Sequence, residues 1–255
     1  MRELPSSIGS IQTLEELLSR PSDALIEAMS ELGGDILILG ASGKVGPTLA
    51  MMAYRALKAA GKDNRVIAVS RSPMDKLSQF GIETIQCDLL NLEAVQHLPQ
   101  CRNVIFMAGR KFGSTGSEWL TWAANTAIPH NVAQSFVNSR VLVFSTGCVC
   151  PVVDVAIGGS VETDRPEPVG EYAMSCLGRE RMFDYYAAEH GEKVVHIRLN
   201  YALDLRYGVL VDIATKVFND EPVDVTTGYL NGIWQGDCCD QVLRSFDLAA
   251  SPAYI

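Results

Sequence analysis

The stretch DILILGASGKVG at residues 35–46 constrains the chain more than any other. Four apolar, strand-prone residues, Ile36 to Leu39, run into glycines at 40, 43 and 46. Pro47-Thr48-Leu49-Ala50-Met51-Met52-Ala53 then continues at once with helical spacing. A buried strand that turns through glycines into a helix collects unpaired N–H groups and the positive end of the helix dipole at one point, which suits an anion. Gly40 serves the tight turn, Gly43 the approach of a pyrophosphate to the backbone, and Gly46 the packing of helix on strand. The spacing is G-x-x-G-x-x-G. It is not a P-loop, because Val45 stands where a Ser or Thr would hold magnesium. The loop is therefore expected to cradle a dinucleotide, with Gly40, Ser42, Gly43, Lys44, Val45 and Gly46 as its contacts.

The rest of the chain repeats this strand–helix rhythm. Helix 46–60 leads to strand 66–70, helix 74–80 to strand 84–87, and helix 91–98 to strand 104–108. Helix 118–138 then leads to strand 141–145, and helix 171–190 to strand 194–199. Such alternation predicts an α/β fold, a Rossmann-type doubly wound parallel sheet. Near-continuous apolar runs such as VIFMA and VLVF fit strands buried on both faces. Three segments are expected: a helical N-terminal extension over 1–34, a dinucleotide-binding domain over 35–200, and a small substrate-binding region over 201–255. In the extension, Thr13-Leu14-Glu15-Glu16 reads as a capping box and residues 22–32 as a second helix. It could pack on the domain or on a second subunit. The last region holds a helix at 211–218 and short extended pieces. It stops at SPAYI, which reads as the opening of a strand and makes an incomplete C-terminus the expectation.

Composition removes whole classes of function. The formal net charge of −9 disfavours nucleic acid and anionic membranes as partners, but not a small anion held by a local basic site. No apolar run reaches transmembrane length, and MRELPSSIGS has no signal-peptide pattern. The seven cysteines are odd in number and lack C-x-x-C spacing, so they read as reduced thiols in a cytoplasmic protein. His97, His130, His190 and His196 show no metal spacing, and no metal is expected.

In a doubly wound sheet ligands lie beyond the carboxyl ends of the strands, so the residues just after each strand are the candidates. Strand 66–70 ends in Ser70-Arg71. No acid stands there to hold ribose hydroxyls, and an arginine suits a 2′-phosphate, which tilts the cofactor from NAD towards NADP. Asp88 and Leu89 follow the next strand; Asp88 could accept from an adenine amino group or cap the helix after it. Ala108-Gly109 would let a nicotinamide ribose lie against the backbone. Arg110 and Lys111 come next and could face an anionic substrate, as could Arg206. Asn200 and Tyr201 end the strand after helix 171–190 and are further contacts.

Two segments carry a family resemblance. VLVFSTGCVC at 141–150, followed by EYAMSCLGRE at 171–180, resembles the active-site region of the extended short-chain dehydrogenase/reductase superfamily, the NAD(P)-dependent epimerases and dehydratases. In that family a Ser or Thr ends the strand and a Tyr opens the next helix as Y-x-x-x-K. The Tyr moves a proton while hydride moves to or from the nicotinamide, and the Lys holds the ribose and lowers the Tyr pKa. The resemblance implies that Thr146 is the hydroxyl, with Ser145 as its alternate, and that Tyr172 is the acid–base group. Asn125 matches a family asparagine, and Glu162, Glu180 and Asp237 match family acids. The residue four after Tyr172 is Cys176 rather than Lys, and a thiol supplies no positive field. Arg179, at +7 on the same face, is the cation that could reach the ribose.

The chain is thus expected to be an epimerase, dehydratase or reductase acting on a sugar, sugar acid or nucleotide sugar. The alternative is an NAD(P)-binding regulatory protein whose chemistry is impaired. The resembled family pairs its two long helices into a dimer bundle, which implies a homodimer.

Overall fold

The computed structural model describes residues 5–113, 115–191, 193–248 and 251–255. Residues 1–4 of the expected N-terminal extension lie outside these. In chain order the helices are α1 Ile11–Leu18, α2 Asp23–Glu31, α3 Gly46–Ala59, α4 Asp75–Gln79, α5 Leu92–Gln96, α6 Glu118–Trp122, α7 Ile128–Ser135, α8 Gly170–His190, α9 Val209–Phe218 and α10 Gln235–Arg244. The strands are β1 Ile36–Leu39, β2 Val66–Ser70, β3 Glu83–Gln86, β4 Asn103–Phe106, β5 Arg140–Thr146, β6 Lys193–Leu199, β7 Tyr201–Leu203, β8 Gly232–Trp234 and β9 Ala253–Tyr254.

Seven strands form one sheet in the order β3-β2-β1-β4-β5-β6-β9, and all of its pairings are parallel. The order reverses at β1, so β1 and β4 part above the glycine loop and open a crevice there. Because side chains alternate along a strand, β1 feeds two cores. Ile36 and Ile38 pack with Leu25 and Met29 of α2, Leu49 and Met52 of α3, and Cys239 and Leu243 of α10. Leu37 and Leu39 pack with Val95 of α5, Val132 of α7 and Phe183 of α8. Each such fully buried side chain contributes about 1.5–3 kcal/mol of transfer free energy, so the sheet centre is well anchored.

The structure agrees with the sequence on the parallel sheet and on most elements, and differs in two places. α1 begins at Ile11 because Ser10, not Thr13, is its cap: the Ser10 hydroxyl accepts from the Thr13 N–H. The helix expected over 118–138 is α6 and α7 joined by a π-helical segment, Ala123–Ala127, and it stops at Ser135. The extension packs on the domain, α1 and α2 lying against α3 and α10. Ser22 fastens it further, its N–H and hydroxyl donating to the Asp240 carboxylate. β9 joins the sheet beside β6, and β7 and β8 pair in a separate two-stranded ribbon. All seven cysteines are unpaired. Among the described residues no helix is long and apolar enough to cross a membrane, and no metal-ligand cluster forms.

Candidate active site

The glycine loop joins β1 to α3. Gly40 has φ +91°, and a Cβ there would stand 2.6 Å from the Ala108 nitrogen, so β4 can approach only a glycine. A Cβ on Gly46 would stand 2.1 Å from the Ala41 carbonyl oxygen, which sets the close contact between the helix start and its own loop. No side chain caps α3, so its first-turn N–H groups remain available to an anion.

A cleft of about 350 Å³ runs from this loop across the strand ends. Gly40, Ser42 and Gly43 line it from β1, Ser70 and Arg71 from β2, Asp88 and Leu89 from β3, and Ala108, Gly109 and Arg110 from β4. The Ser70 hydroxyl donates to that of Ser42 at 2.6 Å and accepts from the Ser72 N–H, which fixes the β2 turn. The Arg71 guanidinium has no partner among the described residues. Asp88 accepts from the Leu90 N–H, while the cap of α5 is Asn91, so Asp88 is not a helix cap. Leu120, Ala123, Ala124 and Ile128 close the cleft from the α6–α7 side. Sequence reading missed them; the signal was the small pair Ala123-Ala124 beside Asn125.

Lys44, Val45 and Gly46 do not line this cleft. The Lys44 ammonium lies 4.4 Å from the Tyr207 ring centroid, and its carbonyl accepts from the Tyr207 hydroxyl. Tyr207 also donates to Gln235, whose amide donates to Thr48 and Asp204. This network straps the loop and the start of α3 to the C-terminal region. Arg206 is engaged within it: it pairs with Asp204 and with Glu15 of α1, so it faces no substrate space.

At the other end of the cleft, Asn125 organises the turn after β4. It is fully buried in the π-helical segment. Its Oδ1 accepts from the Arg110 N–H and from Arg179, and its Nδ2 donates to the Arg110 carbonyl and to Ser175. Arg110 folds back onto the Gly113 carbonyl, away from an open substrate space. Lys111 behaves differently. Its ammonium lies 5.8 Å from the Tyr172 ring centroid and 5.5 Å from that of Tyr201.

Tyr172 stands half-buried in the first turn of α8, with the Thr146 hydroxyl and the Cys176 thiol at its phenol. Burial first and Cys176 second push its pKa up to about 12, against the opposing pull of Thr146 and the Arg179 guanidinium. Thr146 also accepts from the Cys148 N–H and so caps the turn that follows β5. Ser145 does not join this group. Neighbours on a strand point to opposite faces, and the Ser145 hydroxyl donates to Glu180 at 2.6 Å. Glu180 forms a two-point ion pair with Arg198 of β6 beneath the site. Arg179 does not point at open space either: it donates to the Phe144 carbonyl and to Asn125.

Beyond Gly147, a second cavity of about 540 Å³ opens between the 150–162 loop, the end of β6 and the C-terminal region. Asn200, Tyr201, Glu162, Asn231 and Gln241 supply polar groups on its walls. Asn200 lies against Gly147, where a Cβ would stand 2.1 Å from its Oδ1. Asn200 therefore belongs to this cavity and not to the cleft.

A doubly wound sheet with a glycine-loop cleft across its strand ends, and a Thr–Tyr pair after β5 and at the start of α8, defines a dinucleotide-fold protein of the dehydrogenase type. The chain belongs to the NAD dependent epimerase/dehydratase family, whose sequence profile matches residues 36–202. No curated protein matches the chain in sequence. Among solved structures it is similar to MoeE5 in complex with UDP-glucose and NAD, at 22% identity and a TM-score of 0.70, covering 86% of this chain and 74% of that one. It is also similar to a UDP-glucuronic acid 4-epimerase from Bacillus cereus in complex with NAD, at 16% identity, a TM-score of 0.68, and 87% and 77% coverage. A third is RMD from Pseudomonas aeruginosa complexed with NADPH, at 19% identity, a TM-score of 0.66, and 86% and 76% coverage.

Proposed function

We propose that the chain is an NADP- or NAD-dependent oxidoreductase that oxidises a hydroxyl of a sugar, sugar acid or nucleotide sugar and returns or retains the hydride. The observation that carries this reading is a cleft that runs from the glycine loop beside the uncapped helix α3 to Gly109, with Lys111 two residues further on, 5.8 Å from the ring centroid of Tyr172, whose phenol meets Thr146. The loop and the strand ends fit the group. Gly40 and Gly43 leave the backbone bare, Ser42 and Ser70 offer hydroxyls, Asp88 and Leu89 border the adenine end, and Ala108 and Gly109 offer a flat wall to the nicotinamide ribose. Arg71, whose guanidinium has no partner among the described residues, suits a 2′-phosphate and favours NADP. The solved relatives carry NAD in two cases and NADPH in one.

A bound nicotinamide dinucleotide supplies hydride acceptance and return. The protein's own part is proton transfer and orientation. Thr146 holds the reacting oxygen by a hydrogen bond, and Tyr172 takes or gives its proton. The cavity beyond Gly147 offers amides and a carboxylate to sugar hydroxyls, and Tyr201 on its wall has the Lys111 ammonium 5.5 Å from its ring centroid, a cation for an anionic group. Trp119, Met174 and Tyr185 leave apolar surface exposed on α6 and α8, which suits a homodimer built on these helices.

Calorimetric titration with NADP and with NAD tests the first half. At least one must bind with micromolar or tighter affinity, and no binding of either would overturn the reading. Nicotinamide absorbance followed with a panel of nucleotide sugars and sugar acids tests the second.

A further inference from the structure

Cys176 leaves position +4 from Tyr172 without a cation, yet a cation is present. Arg179 is 6% exposed. Its Nη1 donates to the Phe144 carbonyl at 2.6 Å and its Nη2 to Asn125 Oδ1 at 2.7 Å, both neutral acceptors. Its Nε has no partner, and no carboxylate pairs with it among the described residues. The other arginine at this depth, Arg198, is neutralised by Glu180. A buried guanidinium without a counter-charge is costly to keep, and packing alone is better served by an apolar side chain.

Its position gives a reason to keep it. A Cβ added to Gly109 would lie 2.3 Å from Nη2, so the charge sits directly behind the residue that ends the cleft. It reaches there from one turn beyond Cys176 because helical side chains lean towards the N-terminus of their helix. We propose that Arg179 is the positive charge of this site, acting from +7 on the Tyr172 proton in place of the lysine that the family pattern carries at +4. The inference rests on Tyr172 as the proton-transfer group. Arg179 acts through its field and through Asn125, since its paired donors are engaged, and it is a positioning residue rather than a cofactor ligand. The direction of its influence on Tyr172 agrees: it favours the phenolate against burial and Cys176.

The charged and titratable groups that face Tyr172 are Cys176 and Arg179 on α8, Lys111 from the loop after β4, Cys148 after β5, and Glu118 and Glu171 at the rim. Lys111 is exposed, so salt and water screen it, and Arg179 is the cation whose field persists.

The test replaces Tyr172 by 3-nitrotyrosine, a more acidic phenol whose ionisation is read by visible absorbance without cofactor or turnover. Arg179→Met and Arg179→Gln are each expected to raise its pKa by about one unit, a tenfold weaker acid, and Arg179→Lys by less than about half of that. Lys111→Met is expected to act more weakly than either neutral variant. Unchanged titrations in the neutral variants, or an equal shift in Arg179→Lys, would overturn the proposal and leave Arg179 a structural residue. If neither neutral variant folds, Arg179→Gln combined with Cys176→Lys decides. A native fold with a wild-type titration supports a required charge; a misfolded protein, or a raised titration despite the lysine, refutes it. Absence of dinucleotide binding would sink the functional reading without altering this titration, so the two failures are distinguishable.

Discussion

The two ends of the cleft are built on different principles. The glycine-loop end is made of backbone: a positive-φ glycine, a helix start without a cap, and short hydroxyl side chains. The Tyr172 side is made of buried charge and hydrogen-bonded side chains: Thr146, Cys176 and Arg179 act on the phenol, Asn125 holds Arg179, and the Glu180–Arg198 pair lies beneath. Backbone geometry survives extensive sequence change as long as a few glycines remain. A side-chain constellation can change one member and recover its electrostatics from another direction. That difference explains why the loop matches its pattern while the helix motif departs from it at Cys176.

The comparison can be broken from the loop side first. Gly46→Val places a side chain onto the Ala41 carbonyl and is expected to cost about 3 kcal/mol and to abolish dinucleotide binding, read by thermal melting and calorimetry. From the other side, Glu180→Gln leaves Arg198 buried without its counter-charge. It is expected to cost nearly as much stability, about 3 kcal/mol, while the same calorimetry gives a dinucleotide affinity within about twofold of wild type. A variant of Glu180 that lost binding first would show that the two ends are not separate.

The pH dependence sharpens the same contrast. Tyr172 holds its proton up to about 12 in the free protein, so it is ready as an acid and must be ionised to act as a base. Oxidation of a hydroxyl is therefore expected to quicken by up to tenfold per unit between about pH 6 and 9, and carbonyl reduction to stay nearly level. Pre-steady-state rates in both directions check this, and a level oxidative profile would contradict it. Binding at the loop end should show no such slope. The smallest effect is at the cleft rim: Arg71→Ala is expected to weaken NADP by about tenfold and to leave NAD unchanged, since one exposed charge to a 2′-phosphate is worth little more.

The sheet was legible because its signal is local. Ile36 to Leu39, the glycines and the strand–helix rhythm each declare themselves within a few residues, and the strand ends then place Ser70, Asp88 and Gly109 in the cleft. The side-chain constellation was only partly legible. Thr146 and Ser145 are adjacent, and choosing between them needs the strand face that Glu180 occupies, 35 residues away. Lys44 and Arg206 look free in the sequence, yet Tyr207 engages the first across 163 residues, and the second is held by Asp204 two residues before it and by Glu15, 191 residues away. Lys111 was recognisable as a cation after a strand, but its approach to Tyr172 and Tyr201 depends on how Asn125 folds the turn. The helix start at Ser10 and the π-helical segment at Asn125 follow from cap and packing geometry that propensity does not resolve.

The central claim is that the cleft binds a dinucleotide and that Tyr172 moves the proton. Tyr172→Phe tests it most directly, with dinucleotide affinity and turnover measured on the same preparation against a substrate that the nicotinamide assay identifies. The account predicts affinity within about twofold of wild type and turnover lower by about 100- to 10,000-fold. Turnover that persists at the wild-type rate with affinity intact would contradict it.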